Sequence, residues 1–195
     1  MTALTTLAQA LGIAWSSSVS LYGTVLFAGL AQRLGWIALP GSLEVLASPW
    51  VLGVAGALTA VEVLASFVPG VATAWEAVHT AIRPLASAAL AVLTAWGSNP
   101  ALVVVAGLLG GGLGAATHLT KLKLRAAVDA SPEPFSNGAA TAAELGSVAF
   151  LAWAIWNHPW VALSVALGLL LAAILLARAA WRMIRRAASR LAGAP

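Results

Sequence analysis

Apolar runs recur along the chain at lengths suited to crossing a bilayer, which takes about 20 mostly apolar residues. They predict six membrane-spanning helices. The first runs from about Leu4 to Leu34, the second from Pro49 to Phe67 and the third from Pro84 to Trp96. The fourth runs from Ala101 to about Val128, the fifth from Gly138 to Trp156 and the sixth from Pro159 to about Met183. The first and fourth are long, and the third is short unless it begins earlier or tilts. The breaks carry turn chemistry: Leu39-Pro40-Gly41-Ser42, Pro69-Gly70, Gly97-Ser98-Asn99-Pro100, Ser131-Pro132-Glu133-Pro134 and Asn157-His158-Pro159. Pro84, Pro100 and Pro159 stand where a first helical turn tolerates proline.

Composition turns this pattern into a class. The chain of 195 residues is 61% hydrophobic and only 8% charged, with a mean hydropathy of +0.94. A soluble domain is about 25% charged, so hydrocarbon is the natural solvent for most of this chain. The absence of cysteine excludes disulfides and thiol chemistry. The three histidines, His79, His118 and His158, are scattered, so no metal site and no cofactor is expected. A basic n-region is missing at the start, which reads against a cleavable signal peptide.

Charge then sets an expected orientation. Arg178, Arg182, Arg185, Arg186 and Arg190 crowd the C-terminal stretch and suit anionic headgroups rather than nucleic acid. With both termini in the cytoplasm, these arginines, Arg83, Lys121, Lys123 and Arg125 all lie inside and only Arg33 lies outside. The expectation is an all-α, multi-pass protein of a bacterial inner membrane. One transmembrane domain covers residues 1–187, with a basic tail over 188–195. Trp36, Trp50, Trp96, Trp156, Trp160 and Trp181 fall near span ends, as an aromatic belt requires, whereas Trp15 and Trp75 do not. The expected partners are the bilayer and its anionic headgroups, with homo-oligomerisation left open.

Six spans divide into two oppositely directed halves, 1–98 and 99–187, and some features repeat between them. Arg33 and Pro40 follow the first long span with the spacing that Arg125 and Pro132 have after the fourth. Each loop leads to an apolar span bearing one acid, Glu62 or Glu144. The centre of the first span holds Gly12, Ser16-Ser17-Ser18 and Ser20; that of the fourth holds Gly107, Gly110-Gly111-Gly112 and Gly114. Interrupted spans at matching places are a pointer to an inverted-repeat transporter. The competing explanation is close helix packing, since Gly110 to Gly114 reads G-x-x-x-G.

The candidate site residues are the ionisable groups inside spans, where a centred charge costs about 2.5–3.5 kcal/mol on insertion scales. Glu62 and Glu144 are candidate proton-exchanging or coordinating acids; the alternative is that each bonds across the bundle and fixes packing. His118, Lys121 and Arg125 share one helical face, either as a lane for an anionic substrate or headgroup or as a helix end whose cations snorkel. Ser20 and Tyr22 add polarity to the first span. Glu76, His79 and Arg83 repeat the same spacing in an expected cytoplasmic loop, as a short interfacial helix that either gates or only decorates the surface. The run Pro132-Glu133-Pro134-Phe135-Ser136-Asn137 forms a stiff loop in which Ser136 or Asn137 can cap the fifth helix. No hydrolase signature or phosphate-binding loop is present, so an enzyme is not expected.

Several of these runs resemble the bacterial membrane proteins catalogued as a domain of unknown function, number 4126. They are Ser48-Pro49-Trp50-Val51-Leu52-Gly53, Glu62, Pro69-Gly70-Val71 with Trp75, His79 and Arg83-Pro84, His118 with Lys121, and Pro132-Glu133-Pro134-Phe135-Ser136-Asn137. An Asn-Ala-Tyr-like motif of the family's first span corresponds here to Ser18-Val19-Ser20-Leu21-Tyr22, where the tyrosine alone matches. The resemblance implies a multi-span bacterial protein and no particular activity. From the residues themselves the leading expectation is a small transporter or lipid translocase, proton-coupled, for an anionic substrate or headgroup. The alternatives are a non-transporting scaffold or assembly factor and, behind it, an intramembrane enzyme.

Overall fold

A computed structural model describes residues 2–68, 70–129 and 134–192. Seven α-helices follow in order: α1 (Ala3–Val19), α2 (Leu21–Arg33), α3 (Pro49–Ser66), α4 (Val71–Ala95), α5 (Pro100–Asp129), α6 (Pro134–Asn157) and α7 (Pro159–Ala192). A 3-10 segment, Gly41–Ala47, joins α2 to α3, and no strand occurs among the described residues. Helices α3 to α7 each contain a stretch long and apolar enough to cross a bilayer. The protein is a multi-pass α-helical membrane protein. Five of the six expected spans are therefore single helices, and α4, α6 and α7 extend further than the hydropathy suggests.

The first expected span is divided at Ser20, and its two pieces do not continue one another. Ser16 Oγ and Thr24 Oγ1 lie 3.0 Å apart; a straight helix would separate these positions by about 12 Å along its axis. Neighbours confirm the reversal. Along α1, Ala14 lies near Gly110, Ser17 and Ser18 meet Ser87, and Val19 meets Arg83 and Lys121, so α1 runs against α4 and with α5. Along α2, Leu26 lies by Gly56, Gly29 packs on Leu46 and Leu52, and Arg33 donates to the Ala47 carbonyl, so α2 runs against α3. Helices α1 and α2 thus form a re-entrant hairpin. Both its ends reach the end of the bundle that carries Trp36, Trp50, Trp96, Trp156 and Trp160, and its tip lies at depth.

The expected count of about six spans is close: five helices are long and apolar enough to cross, and the hairpin takes the place of the first span. The start of α1 and the end of α7 then lie at opposite ends of the bundle, where the expectation put both on one face. Hydropathy reads a helix–break–helix as one long span because the apolar run is unbroken, and serine is only mildly polar.

Serine chemistry explains the break. Ser17 and Ser18 hydroxyls both donate to the Ala14 carbonyl, the back-bonding that loosens a helix. Ser20 is extended and serves both helices: its N–H donates to the Ser16 carbonyl, and its hydroxyl accepts the Gly23 N–H as the cap of α2. Non-helical backbone at membrane depth is tolerated where protein encloses it, and Ser20 is fully buried.

The fourth expected span, by contrast, is one long unbroken helix. Its glycines serve close packing against α4. A Cβ at Gly110 would stand 2.5 Å from the Ala91 Cβ, and one at Gly114 would stand 2.6 Å from the Ser87 Cβ, whereas one at Gly112 meets nothing. Gly114→Ala is expected to cost about 1–3 kcal/mol by overpacking. Gly112→Ala should be neutral or stabilise by up to about 1 kcal/mol. Thermal melts in detergent check the pair; equal shifts would contradict the packing.

The third expected span is corrected in its start. Helix α4 begins at Val71, thirteen positions earlier, and Pro84 lies inside it. Proline interrupts membrane helices less than soluble ones, because neighbouring groups re-satisfy the freed backbone. Glu76, His79 and Arg83 therefore belong to the buried face of a span and not to a surface helix. Pro132 and Glu133 of the stiff loop lie outside the described residues, as do the side chains of Pro134, Phe135, Ser136 and Asn137. Helix α6 begins at Pro134, so Ser136 and Asn137 stand within its first turn.

Candidate functional site

The hairpin tip ends on a cluster of buried charges. Arg83 stands midway along α4, with twelve residues to each end, or about 18 Å of helix either way. It is wholly buried. Its Nη1 donates to the Ser18 and Val19 carbonyls at 3.0 and 2.5 Å. Its Nη2 donates to Glu62 Oε1 on α3 at 2.6 Å and to Glu76 Oε1 at 3.3 Å. Lys121, from α5, reaches the same place: its Nζ lies 2.5 Å from the Val19 carbonyl, 2.8 Å from Glu76, 3.1 Å from Glu144 on α6 and 3.4 Å from Glu62.

The break in the backbone and the charges account for each other. The last carbonyls of α1 have no continuing helix to bond them, and they carry the negative end of its dipole. Arg83 and Lys121 fill both needs. The positive end of α2 begins one residue later. There Ser20 Oγ donates to Glu62 Oε2 at 2.8 Å while accepting from Gly23, which places a carboxylate at the start of α2. Cations at one helix end and an anion at the other stabilise a tip that would otherwise leave polar backbone in hydrocarbon.

The cluster balances in formal charge. Glu62, Glu76 and Glu144 face Arg83, Lys121 and Arg125. Left unpaired at this depth, six such groups would cost on the order of 15 kcal/mol on insertion scales. Arg125 lies one turn beyond Lys121, where its Nη2 donates to Thr141 Oγ1 at 3.0 Å and stands 3.6 Å from Glu144. His118 is buried with Nε2 3.3 Å from Thr80 Oγ1 and Nδ1 3.7 Å from Glu76. His118, Lys121 and Arg125 therefore do not snorkel; they face inward. Glu144 is the most exposed acid of the three, with 24% of its side chain accessible.

An aromatic group adjoins the cluster. The Trp75 carbonyl can only accept, so His79 Nδ1 donates to it at 2.7 Å. In the neutral ring Nε2 is then free to accept the Tyr22 hydroxyl, 3.0 Å away. Trp75 lies against the His79 ring with centroids 4.4 Å apart. This explains a tryptophan that the belt does not. Trp15, the other exception, is buried in the core beside a cavity.

The structure thus places Glu62, Glu76, Arg83, His118, Lys121, Arg125, Glu144 and Ser20 in one network, with Tyr22 and His79 at its side. Sequence reasoning missed Ser87, which bonds Ser17 and Ser18 at 3.0 Å each. Its signal was readable, since Glu76, Thr80, Arg83 and Ser87 make a polar stripe on α4. The Val19 carbonyl and Trp15 left no polar signal to find. Among the described residues no group of three or more histidine, aspartate or glutamate side chains converges on a metal-sized site. No curated protein and no solved structure matches the chain. A family model does match residues 7–179, which take in the hairpin from Leu7 onward and every charged residue of the cluster, and the chain belongs to that family, described as a domain of unknown function (DUF4126).

Proposed function

We propose that the protein is a small transporter for an anionic solute or lipid headgroup, coupled to protons through Glu62 and Glu144. The observation that carries this reading is the hairpin tip, a helix break level with the middle of α4 that ends on a buried network of ionisable side chains. Discontinuous helices whose termini face charges near the midplane are how transporters build ion and substrate sites. Ionisable residues in a membrane interior mark such pathways. The end of the bundle holding Lys123, Arg125 and the α7 arginines is the cytoplasmic one by the positive-inside rule, in the inner membrane of a bacterium. The end of α7 is then inside and the start of α1 outside.

The test is flux. Proteoliposomes holding a pH-sensitive dye are given radiolabelled small carboxylates, chloride and phosphate, and solute uptake and internal pH are followed against protein-free liposomes, because a monoanion that moves with one proton carries no net charge. Uptake of at least one of these anions with internal acidification, reduced at least tenfold in Glu62→Gln, supports proton-coupled transport. No uptake of any anion above the protein-free level contradicts it. The internal neutrality of the cluster favours a second reading, a locked scaffold that holds a membrane partner. A stoichiometric protein partner co-purifying in native-lipid nanodiscs, with no anion uptake, would establish that instead.

A further inference from the structure

A pocket of about 190 Å³, open to the protein surface past Ala143 and Leu169, lies beside the cluster, between α1, α5, α6 and α7. Lys121, Glu144, Trp15, Thr117 and Ser147 supply its polar wall, while Leu124, Leu169 and Leu170 supply part of its apolar wall. At about 30 Å³ per water, the space holds roughly six waters or one small organic molecule. Around it are buried donors without a protein partner among the described residues: Trp15 Nε1, Thr117 Oγ1, and, one turn further along α5, Arg125 Nε and Nη1. Buried polar atoms are normally bonded, so these four point to a group that is sometimes there.

Glu144 indicates which group. Its carboxylate is held by Lys121 at 3.1 Å and Arg125 at 3.6 Å, the pairing that a carboxylate ligand would itself make. Of the three acids it is the most accessible and the least enclosed by other bonds. Glu62 is fixed by Ser20 and Arg83, and Glu76 by Arg83 and Lys121. If Glu144 swings away, Arg83, Lys121 and Arg125 face Glu62 and Glu76, which leaves one net positive charge. That balance fits a monoanion better than a dianion. The apolar side of the cavity then accommodates a short hydrocarbon chain.

We propose that the Glu144 carboxylate is a built-in occupant of an anion site formed by Lys121 and Arg125, and that a short-chain monocarboxylate displaces it, with its chain in the cavity between Trp15, Leu169 and Leu170. The inference rests on the anion-handling reading of this cluster, and it concerns binding, which is measured apart from transport. Radiolabelled butyrate is the probe, in equilibrium binding to the purified full chain, with chloride and phosphate as competitors and protein-free micelles as the blank. Glu144→Gln removes the internal competitor and keeps the shape, so it should bind butyrate at least tenfold more tightly than wild type. Adding Lys121→Met to it should abolish the gain. A gain of binding is not produced by misfolding. Ala143→Phe, which narrows the cavity, should weaken butyrate binding in the Gln background at least tenfold. Equal butyrate binding by wild type and Glu144→Gln overturns the proposal, as does a Gln variant in which chloride or phosphate competes as well as butyrate. Butyrate binding without uptake of any anion would leave this site standing and remove the transporter reading; uptake of another anion without butyrate binding would do the reverse.

Discussion

Arg83→Met is expected to destabilise the protein by about 3–5 kcal/mol, the cost of removing one member of a buried ion network and leaving its partners uncompensated. The expectation follows from what the guanidinium holds. It binds two carboxylates and two orphan carbonyls at the end of α1, and the side chain is inaccessible to solvent. Methionine fills the volume and offers no donor. Glu62 and Glu76 would then compete for Lys121 alone. Thermal denaturation in mild detergent reads the effect, with exposed Arg33→Met as the control, expected within about 1 kcal/mol of wild type. Adding Glu62→Gln to Arg83→Met should recover part of the loss, because two acids then face two cations, Lys121 and Arg125. An Arg83→Met shift no larger than that of Arg33→Met would mean that the cluster does not hold the tip.

Lys121→Met should have an effect of the same order, about 3–5 kcal/mol, but with a different pattern of rescue. Among the described residues Lys121 is the one cation that touches Glu62, Glu76 and Glu144 together, as well as the Val19 carbonyl. Without it Arg83 still serves Glu62 and Glu76, and the acid most poorly served is Glu144, left with Arg125 at 3.6 Å. Glu144→Gln should therefore rescue Lys121→Met more than Glu62→Gln does. A double-mutant cycle between Lys121 and Glu144 should give a coupling of about 0.5–3 kcal/mol. Additive effects at the two positions would show that their 3.1 Å approach carries no interaction.

Much of this site was legible in the sequence, and what was not has physical causes. Ionisable residues in an apolar chain are few, so nearly every one inside a span becomes a candidate, and Glu62, His118, Lys121, Arg125 and Glu144 do meet. Helical spacing grouped Glu76, His79 and Arg83 on one face. Pro84 hid the fact that this face lies within a span, because a proline after a polar turn looks like a helix start. The hairpin was hidden for a different reason. A hydropathy window sums transfer free energies and carries no direction, so two apolar helices of 17 and 13 residues joined at one serine look like one crossing. The serine run marked where the break falls, and the charges opposite it decide that the chain turns back. The positive-inside count still distinguishes the two ends of the bundle, since it rests on the arginines of α7 and the basic end of α5. The placement of the start of α1 does not follow from that count, because no basic residue precedes Arg33.

The re-entrant hairpin carries the rest, and the lack of native cysteine makes it directly testable. Single cysteines are introduced at Thr5, at Trp36 and at Arg178, and right-side-out and inside-out membrane vesicles are treated with a membrane-impermeant maleimide. Thr5→Cys and Trp36→Cys should be labelled from the same side, and Arg178→Cys from the opposite side. Labelling of Thr5→Cys together with Arg178→Cys, and apart from Trp36→Cys, would mean that residues 4–34 cross the membrane and that Ser20 is not the tip of a hairpin.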